Sequence, residues 1–103
     1  MYVSRLNFYT VPGKTKELEE KLGKLLDLVV KAGGERPRVL RTHIASLGAP
    51  DLIFEQDIPD LGTLENQIKK VTESREFQQW TNQISGLLAQ SSKREVFEVA
   101  KLG

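Results

Sequence analysis

Residues 38–58 decide the fold, and their sequence is RVLRTHIASLGAPDLIFEQDI. The first part, Arg38 to Leu47, is rich in residues that favour strands, and so is the last part, Leu52 to Ile58. The segment between them, Gly48-Ala49-Pro50-Asp51, has the composition and the length of a hairpin turn. The stretch therefore predicts two antiparallel strands that are neighbours in one sheet.

A strand and a helix precede this hairpin. Tyr2 to Val11 is rich in β-branched and aromatic residues and is followed by Pro12-Gly13, which predicts a strand and its end. From Lys14 to about Ala32, leucine and valine recur every three or four residues, which is typical of an amphipathic helix. We expect Thr15 to cap this helix and Gly33-Gly34 to end it.

Helical spacing returns after the hairpin. Asp60 is the expected N-cap of a second helical segment that continues to about Ala89. Ser74 is a second candidate cap within that segment, so one kinked helix and two short helices fit equally well. Arg94 to Leu102 is the last predicted strand.

The predicted order is strand, helix, strand, strand, helix, strand. A crossover through the first helix makes the first two strands parallel, and the hairpin then places the third strand between them, antiparallel to both. The fourth strand falls beside the first. The expected fold is α+β, a ferredoxin-like βαββαβ unit with a four-stranded antiparallel sheet and both helices on one face. The chain is too short for two cores, so residues 1–103 form a single domain.

Composition excludes several classes of protein. The 15 basic and 14 acidic residues give a net charge of +1, without the basic excess of a nucleic-acid-binding protein. The chain has no cysteine and one histidine, which excludes disulfides, thiolate metal sites and a zinc site with two histidines. We expect no metal, because Asp51, Glu55 and Asp57 offer too few fixed oxygen ligands. We also expect no cofactor, because the sequence has no dinucleotide fingerprint. No apolar run is long enough for a membrane span and no signal peptide is visible, so we expect a cytoplasmic protein without membrane contact.

Apolar residues lie on both faces of the predicted strands. In the first strand, Leu6 and Phe8 share one face, whereas Val3, Tyr9 and Val11 share the other. Helices can cover only one face, and a monomer that exposes so large an apolar area is uncommon. We therefore expect a homodimer in which two sheets pack face to face.

The chain resembles the dimeric α/β-barrel superfamily in its order of elements, and within it the NIPSNAP-like proteins. Residues 5–14, RLNFYTVPGK, are similar to that family's arginine, tyrosine and Pro-Gly-Lys entry into the first helix. Residues 52–57, LIFEQD, and Glu76-Phe77 with Trp80 are similar to its third strand and its second helix. The resemblance implies a homodimer with a central cavity. The superfamily also includes cofactor-independent monooxygenases, whose cavities use Asn, Trp, Arg, Tyr and His side chains.

Five polar or aromatic residues of the strands are the candidates for lining such a cavity: Arg5, Asn7, Tyr9, Arg41 and His43. We expect Arg5, Tyr9 and Arg41 to bind a ligand. His43 has the pKa range of a general base, and Asn7 could hold an oxyanion, so these two are the candidate catalytic residues. His43 also fits a partly buried strand residue without a catalytic role, and Trp80 fits a core residue of the helical stripe.

Three functions stay open. The first is a homodimer that binds a small, partly apolar molecule in its cavity. The alternative is an enzyme, either a cofactor-independent monooxygenase of the antibiotic-biosynthesis type or a related isomerase. The third is an assembly module without a ligand.

Overall fold

The computed structural model describes residues 1–102 and contains the predicted order of elements. The strands and α-helices are β1 Tyr2–Phe8, α1 Thr15–Lys31, β2 Arg38–Arg41, β3 Leu52–Ile58, α2 Leu61–Thr72, α3 Arg75–Ile84 and β4 Lys93–Glu98. A short 3-10 turn, Ser85–Leu87, follows α3 directly. The second helical segment is thus two helices, one of the two arrangements that the sequence allows.

The strands form one antiparallel sheet in the order β2-β3-β1-β4. β1 is central, and its Leu6 pairs with Phe54 of β3 on one side and with Arg94 of β4 on the other. β2 pairs with the outer side of β3. The predicted ferredoxin-like βαββαβ fold is therefore confirmed.

The helices pack on one face of the sheet, and the core lies between the two layers. Phe8, Leu52 and Phe54 of the sheet meet leucines of α1 and Trp80 of α3 there. Side chains alternate along a strand, so the residues between these point to the other side. We call that helix-free side the open face; its residues include Val3, Arg5, Asn7, Arg38, Leu40, Ile53, Glu55, Asp57, Lys93, Glu95 and Phe97.

Two of the three expected helix caps are present. Asp60 Oδ1 accepts a hydrogen bond at 2.8 Å from the N–H three residues on, and Ser74 Oγ accepts the equivalent bond at 3.2 Å. The Thr15 cap is wrong: Lys14 occupies the N-cap position without a side-chain bond, and Thr15 is the first helical residue. The Thr15 hydroxyl is instead 2.6 Å from the Thr10 hydroxyl, which fixes it to the end of β1. Among residues 1–102, no helix is both long and apolar enough to cross a membrane.

The strand at the start of the hairpin is shorter than predicted. β2 ends at Arg41 and not at Leu47, and a bond of 3.1 Å from Thr42 N–H to the Asp51 carbonyl closes a loop there. Ile44 and Leu47, which favour a strand by composition, are almost fully exposed. Neither side chain packs against the rest of the fold, so strand propensity alone does not extend β2.

The other two corrections concern β1 and β4. β1 ends at Phe8: the Thr10 N–H donates to the Asp51 carboxylate at 2.8 Å on one side, and Thr10 forms only an isolated antiparallel bridge to Leu88 on the other. β4 ends at Glu98, four residues before the predicted end. It is an edge strand, and every one of its residues is exposed. The helices thus cover one face of the two central strands, β1 and β3, whereas the edge strand β4 is exposed to solvent.

Candidate functional site

A buried carboxylate is the centre of the polar cluster on the open face. Glu55 of β3 lies opposite Arg5 of β1 and opposite Arg38 of β2. Arg5 Nε donates to Glu55 Oε1, and Arg38 Nε donates to Oε2, each at 2.6 Å. Burial raises the pKa of Glu55, but the hydrogen bonds from the two guanidinium groups outweigh burial and lower that pKa below its ordinary value. Glu55, which is only 4% exposed, therefore stays ionised.

The cluster is balanced in charge. Asp57 adds a second carboxylate, whose Oδ1 is 3.6 Å from Arg38 Nη2. Two arginines thus face two carboxylates, with Glu55 bonded to both arginines. Neither guanidinium is left as a free cation for an anionic ligand. The cluster can be buried against another surface without leaving an uncompensated charge.

Asn7 has a hydrogen-bonding group with no partner. The residue is 4% exposed, and its Nδ2 donates to Glu95 Oε1 of β4. A carboxylate only accepts hydrogen bonds, so Glu95 fixes the orientation of the amide. The carbonyl oxygen Oδ1 is buried, and no atom in residues 1–102 bonds to it. Such an orphan acceptor costs about 1–3 kcal/mol, which a donor from outside the chain would recover.

Two aromatic rings border these polar groups. The guanidinium of Arg5 lies 5.4 Å from the centre of the Phe97 ring, and the ammonium of Lys93 lies 5.5 Å from that of Tyr9. Phe97 remains 45% exposed. The open face therefore combines aromatic surface, a neutralised ionic cluster and one unfilled acceptor, a combination typical of sites for small organic molecules.

Three of the five candidate residues meet on this face. Arg5 and Asn7 project from it as the strand alternation predicts, and Tyr9 lies beside Lys93 on the same side. Asn7 has a carbonyl oxygen without a hydrogen-bond donor, whereas Arg5 is already hydrogen-bonded to Glu55. Their roles in binding or catalysis stay predictions.

Arg41 and His43 do not join them. Arg41 lies opposite Leu52 on the helix side, where its Nη2 donates to Glu19 Oε2 of α1 at 3.0 Å. That bond lowers the pKa of Glu19 and raises that of Arg41. His43 is exposed in the loop after β2, so its predicted position within a strand is wrong. The early end of β2 removes His43 from the sheet, and strand alternation turns Arg41 to the other side.

Trp80 is a core residue. It is 4% exposed, its indole N–H donates to the Lys21 carbonyl of α1 at 2.7 Å, and its ring meets Phe8 edge-on at 6.5 Å. The interpretation of Trp80 as part of the helical stripe is confirmed. Its bond to α1 and its contact with β1 hold it between sheet and helices, away from the open face.

Sequence reasoning missed the importance of Glu55 and of the residues that surround it. Arg38, Glu95 and Phe97 were visible as strand residues, but nothing local links them to Arg5 or Asn7. A usable signal is charge complementarity: the basic Arg38 and Arg5 flank the acidic Glu55 once the three strands are placed side by side. That signal appears only with the correct register.

Comparisons with known proteins support the fold. No family model and no curated protein matches the chain in sequence. An uncharacterized NIPSNAP-like domain protein from Burkholderia xenovorans superposes with a TM-score of 0.79 at 14% identity, over 99% of this chain and 87% of that one. A second, uncharacterized NIPSNAP domain protein from the same organism gives 0.73 at 16% identity, over 97% and 95% of the two chains.

A structure with an enzyme name is similar as well. The protein named "Putative antibiotic biosynthesis monooxygenase" from Nitrosomonas europaea superposes with a TM-score of 0.70 at 14% identity, over 98% of this chain and all (100%) of that one. At such identities the likeness concerns the backbone. The chain has the ferredoxin-like fold that these NIPSNAP domain proteins and this monooxygenase-named protein share.

Proposed function

We propose that the chain forms a homodimer through the open face and binds a small, partly apolar molecule there. The observation that carries the proposal is Asn7 Oδ1, a buried acceptor without a partner beside aromatic surface. The proposal has two parts: the dimer rests on the apolar side chains of the open face, and the ligand rests on Asn7 and the aromatic rings beside it.

The dimer rests on the composition of the open face. Apolar side chains of all four strands point there, namely Val3, Leu40, Ile53 and Phe97. A second copy would remove them from water, which a sheet covered by helices on one side cannot do alone. The charge balance of the Glu55 cluster favours this, because a neutral cluster can enter an interface at a much lower desolvation cost than a charged one.

The ligand follows from what the face offers. An O–H or N–H group of the ligand would complete the hydrogen bonding of Asn7, and an apolar body would pack on Tyr9 and Phe97. Arg5 and Arg38 are taken by Glu55, so the ligand needs no anionic group. A phenol or another hydroxylated aromatic compound has the required chemistry.

A cofactor-independent monooxygenase is the second candidate. The fold shared with a monooxygenase-named protein and the position of Asn7 support it. In this role Asn7 Nδ2 would stabilise a developing oxyanion, after exchanging its present bond to Glu95 for one to the substrate. His43 would have to be replaced by another base, because it lies outside the sheet.

The dimer is tested by light scattering on the full chain at micromolar concentration. We expect a homodimer with an interface of about 1,200 Å² or more. Ile53→Asp should give monomers or aggregates, because it places a charge at the centre of the interface. Val30→Asp is the matched control, since Val30 is a half-exposed apolar residue on α1, away from the open face. A wild-type monomer, or equal effects of the two variants, would contradict the dimer.

The ligand is tested by mass spectrometry of the native and the denatured protein, and by thermal shifts with a panel of phenols and quinols. We expect binding by the wild type, weaker binding by Asn7→Leu, and unchanged binding by His43→Ala. Oxygen uptake with an aromatic quinol by metal-free protein would favour the monooxygenase. Binding that is as tight in Asn7→Leu as in the wild type would contradict the site. The proposal also includes a cytoplasmic location, which cell fractionation tests.

A further inference from the structure

A row of polar side chains crosses the helix side of the sheet, within the otherwise apolar layer. Arg94 Nη1 of β4 donates to Ser4 Oγ of β1 at 2.6 Å. Ser4 lies opposite Gln56 of β3, whose Nε2 donates to Gln67 Oε1 of α2, also at 2.6 Å. Ser4, Gln56 and Gln67 are each at most 5% exposed. Buried polar groups cost free energy unless they are hydrogen-bonded, so any atom of this row without a partner is a candidate contact for a ligand.

Gln56 ends this row with an unsatisfied atom. Its Oε1 is buried and has no hydrogen-bond partner in residues 1–102. If both amides turn, so that Gln67 donates and Gln56 accepts, then Gln56 has an unpartnered Nε2 in place of Oε1. Gln56 therefore has one free polar atom in either arrangement. A carboxylate only accepts hydrogen bonds, so it would select the turned arrangement, in which the free Gln56 Nε2 donates to it.

Arg94 has a guanidinium group that forms no ion pair with a carboxylate of the described residues. Arg5, Arg38 and Arg41 each form at least one. The residue as a whole is exposed at the edge strand, but its guanidinium is desolvated enough to lower its pKa. Its one side-chain bond is to the neutral Ser4 hydroxyl. The remaining N–H groups are available to an acceptor.

Arg94 and Gln56 line the same small pocket between the sheet and helices α2 and α3. The apolar part of its wall includes Leu6, Phe54, Ile68 and Phe77. The pocket has a volume of about 60 Å³. That is room for roughly four or five non-hydrogen atoms, when one water needs about 10–15 Å³. The pocket is thus too small for an aromatic ring system and large enough for a carboxyl group with a short alkyl chain.

We propose that this pocket binds a small aliphatic carboxylic acid of roughly two or three carbons, with its carboxylate on Arg94 and its alkyl group among the apolar side chains. The site is separate from the open face, since the sheet lies between them. It is independent of the proposed dimer and of the ligand of Asn7. Arginine suits this role because its planar fork matches a carboxylate.

The test is a titration of the full, ¹⁵N-labelled chain with sodium propionate, followed by NMR. Sodium chloride at equal ionic strength controls for salt, and 1-propanol controls for apolar binding alone. We expect saturable shifts of the Gln56 and Gln67 side-chain amide signals with propionate only. Propanol that binds as tightly as propionate would overturn the carboxylate assignment, and the absence of saturable shifts would overturn the site.

Two charge variants on one strand separate the site from general electrostatics. Arg94→Gln should weaken propionate binding about ten-fold or more, because it removes a charge-assisted hydrogen bond. Lys93→Gln removes the same charge from the adjacent residue on the open face and should change binding less than about two-fold. Equal losses in both variants would overturn the site. If Arg94→Gln does not fold, Ile68→Phe, which fills the pocket and leaves Arg94 in place, must abolish binding for the proposal to stand.

Discussion

Replacing Glu55 by glutamine tests whether the ionic cluster stabilises the sheet. Glu55 accepts hydrogen bonds from Arg5 and Arg38, which lie on the strands on either side of it. Glutamine has one carbonyl oxygen and no charge, so one guanidinium loses its acceptor and the other is left with a neutral partner. We expect Glu55→Gln to lower the free energy of unfolding at pH 7.

The size of the loss follows from the exposure of the partners. A hydrogen bond to a charged group contributes about 1.5–3 kcal/mol, and solvent reduces the Coulomb part where the charge is exposed. The two arginine side chains are 42% and 45% exposed, whereas that of Glu55 is 6% exposed. We therefore expect a loss of about 2 kcal/mol, which corresponds to roughly 8–16 °C in Tm for a domain of this size.

The pH dependence gives the prediction a second, sharper readout. The pKa of Glu55 is lower in the folded chain than its ordinary value of 4.5, so its contribution is complete above that value and is lost as the pH falls through the folded pKa. The difference between wild type and Glu55→Gln should hold from pH 7 to near 4.5 and decline below it, because a protonated Glu55 is as neutral as glutamine.

The assay is urea unfolding followed by circular dichroism at a fixed protein concentration, since any dimer makes stability depend on concentration. Asp57→Asn is the matched control on the same strand and face. Its carboxylate is half-exposed and 3.6 Å from Arg38, so it should cost less than about 1 kcal/mol. The reasoning is refuted if Glu55→Gln is as stable as wild type at pH 7, or if its deficit persists unchanged at acidic pH.

Three further substitutions test the packing of the helices. Trp80→Phe removes the bond to the Lys21 carbonyl and should lower the free energy of unfolding by about 1–3 kcal/mol in urea titrations; an unchanged midpoint would contradict a structural role for the indole N–H. Gly34→Ala places a Cβ 2.5 Å from Val29 Cγ1 and should lower the free energy of unfolding, measured by calorimetry, by about 1–3 kcal/mol. A more stable variant would contradict the predicted clash. Ser74→Ala removes the N-cap of α3 and should lower the free energy of unfolding by about 1 kcal/mol. Ser74→Asp keeps a capping oxygen and should retain most of the wild-type stability.

Features that depend on near neighbours in the chain could be predicted from the sequence. The caps at Asp60 and Ser74 are hydrogen bonds between residues three apart in the chain. The placement of Arg5 and Asn7 on the same face of β1 needs only the geometry of one strand. The order of the strands in the sheet followed from the crossover rule and the hairpin. The buried position of Trp80 followed from helical spacing.

Features that depend on distant residues could not. Whether the residues after Arg41 continue a strand depends on which side chains of the rest of the fold they contact. Ile44 is almost fully exposed and contacts none of the core. Glu55 became the centre of a cluster only because β1, from 50 residues earlier in the chain, aligns Arg5 with it. The strand propensity of the hairpin and the charge of Glu55 are both visible in the sequence. Where β2 ends and which arginines bind Glu55 are decided by tertiary contacts, and these cannot be read from the sequence.

The place of β1 in the sheet affects how the chain can fold during synthesis. β1 is synthesised before the other three strands, whereas its neighbour β4 is synthesised after them. The two ends also meet, since the Val99 N–H donates to the Met1 carbonyl at 2.9 Å. As the nascent chain leaves the ribosome, β1 can pair with β3, but its other edge stays bare until residues 93–98 have emerged. A bare central edge is a template for pairing with other chains. A chain cut short before Lys93 would therefore be a substrate for chaperones and proteases, since its central strand would have no partner on one side.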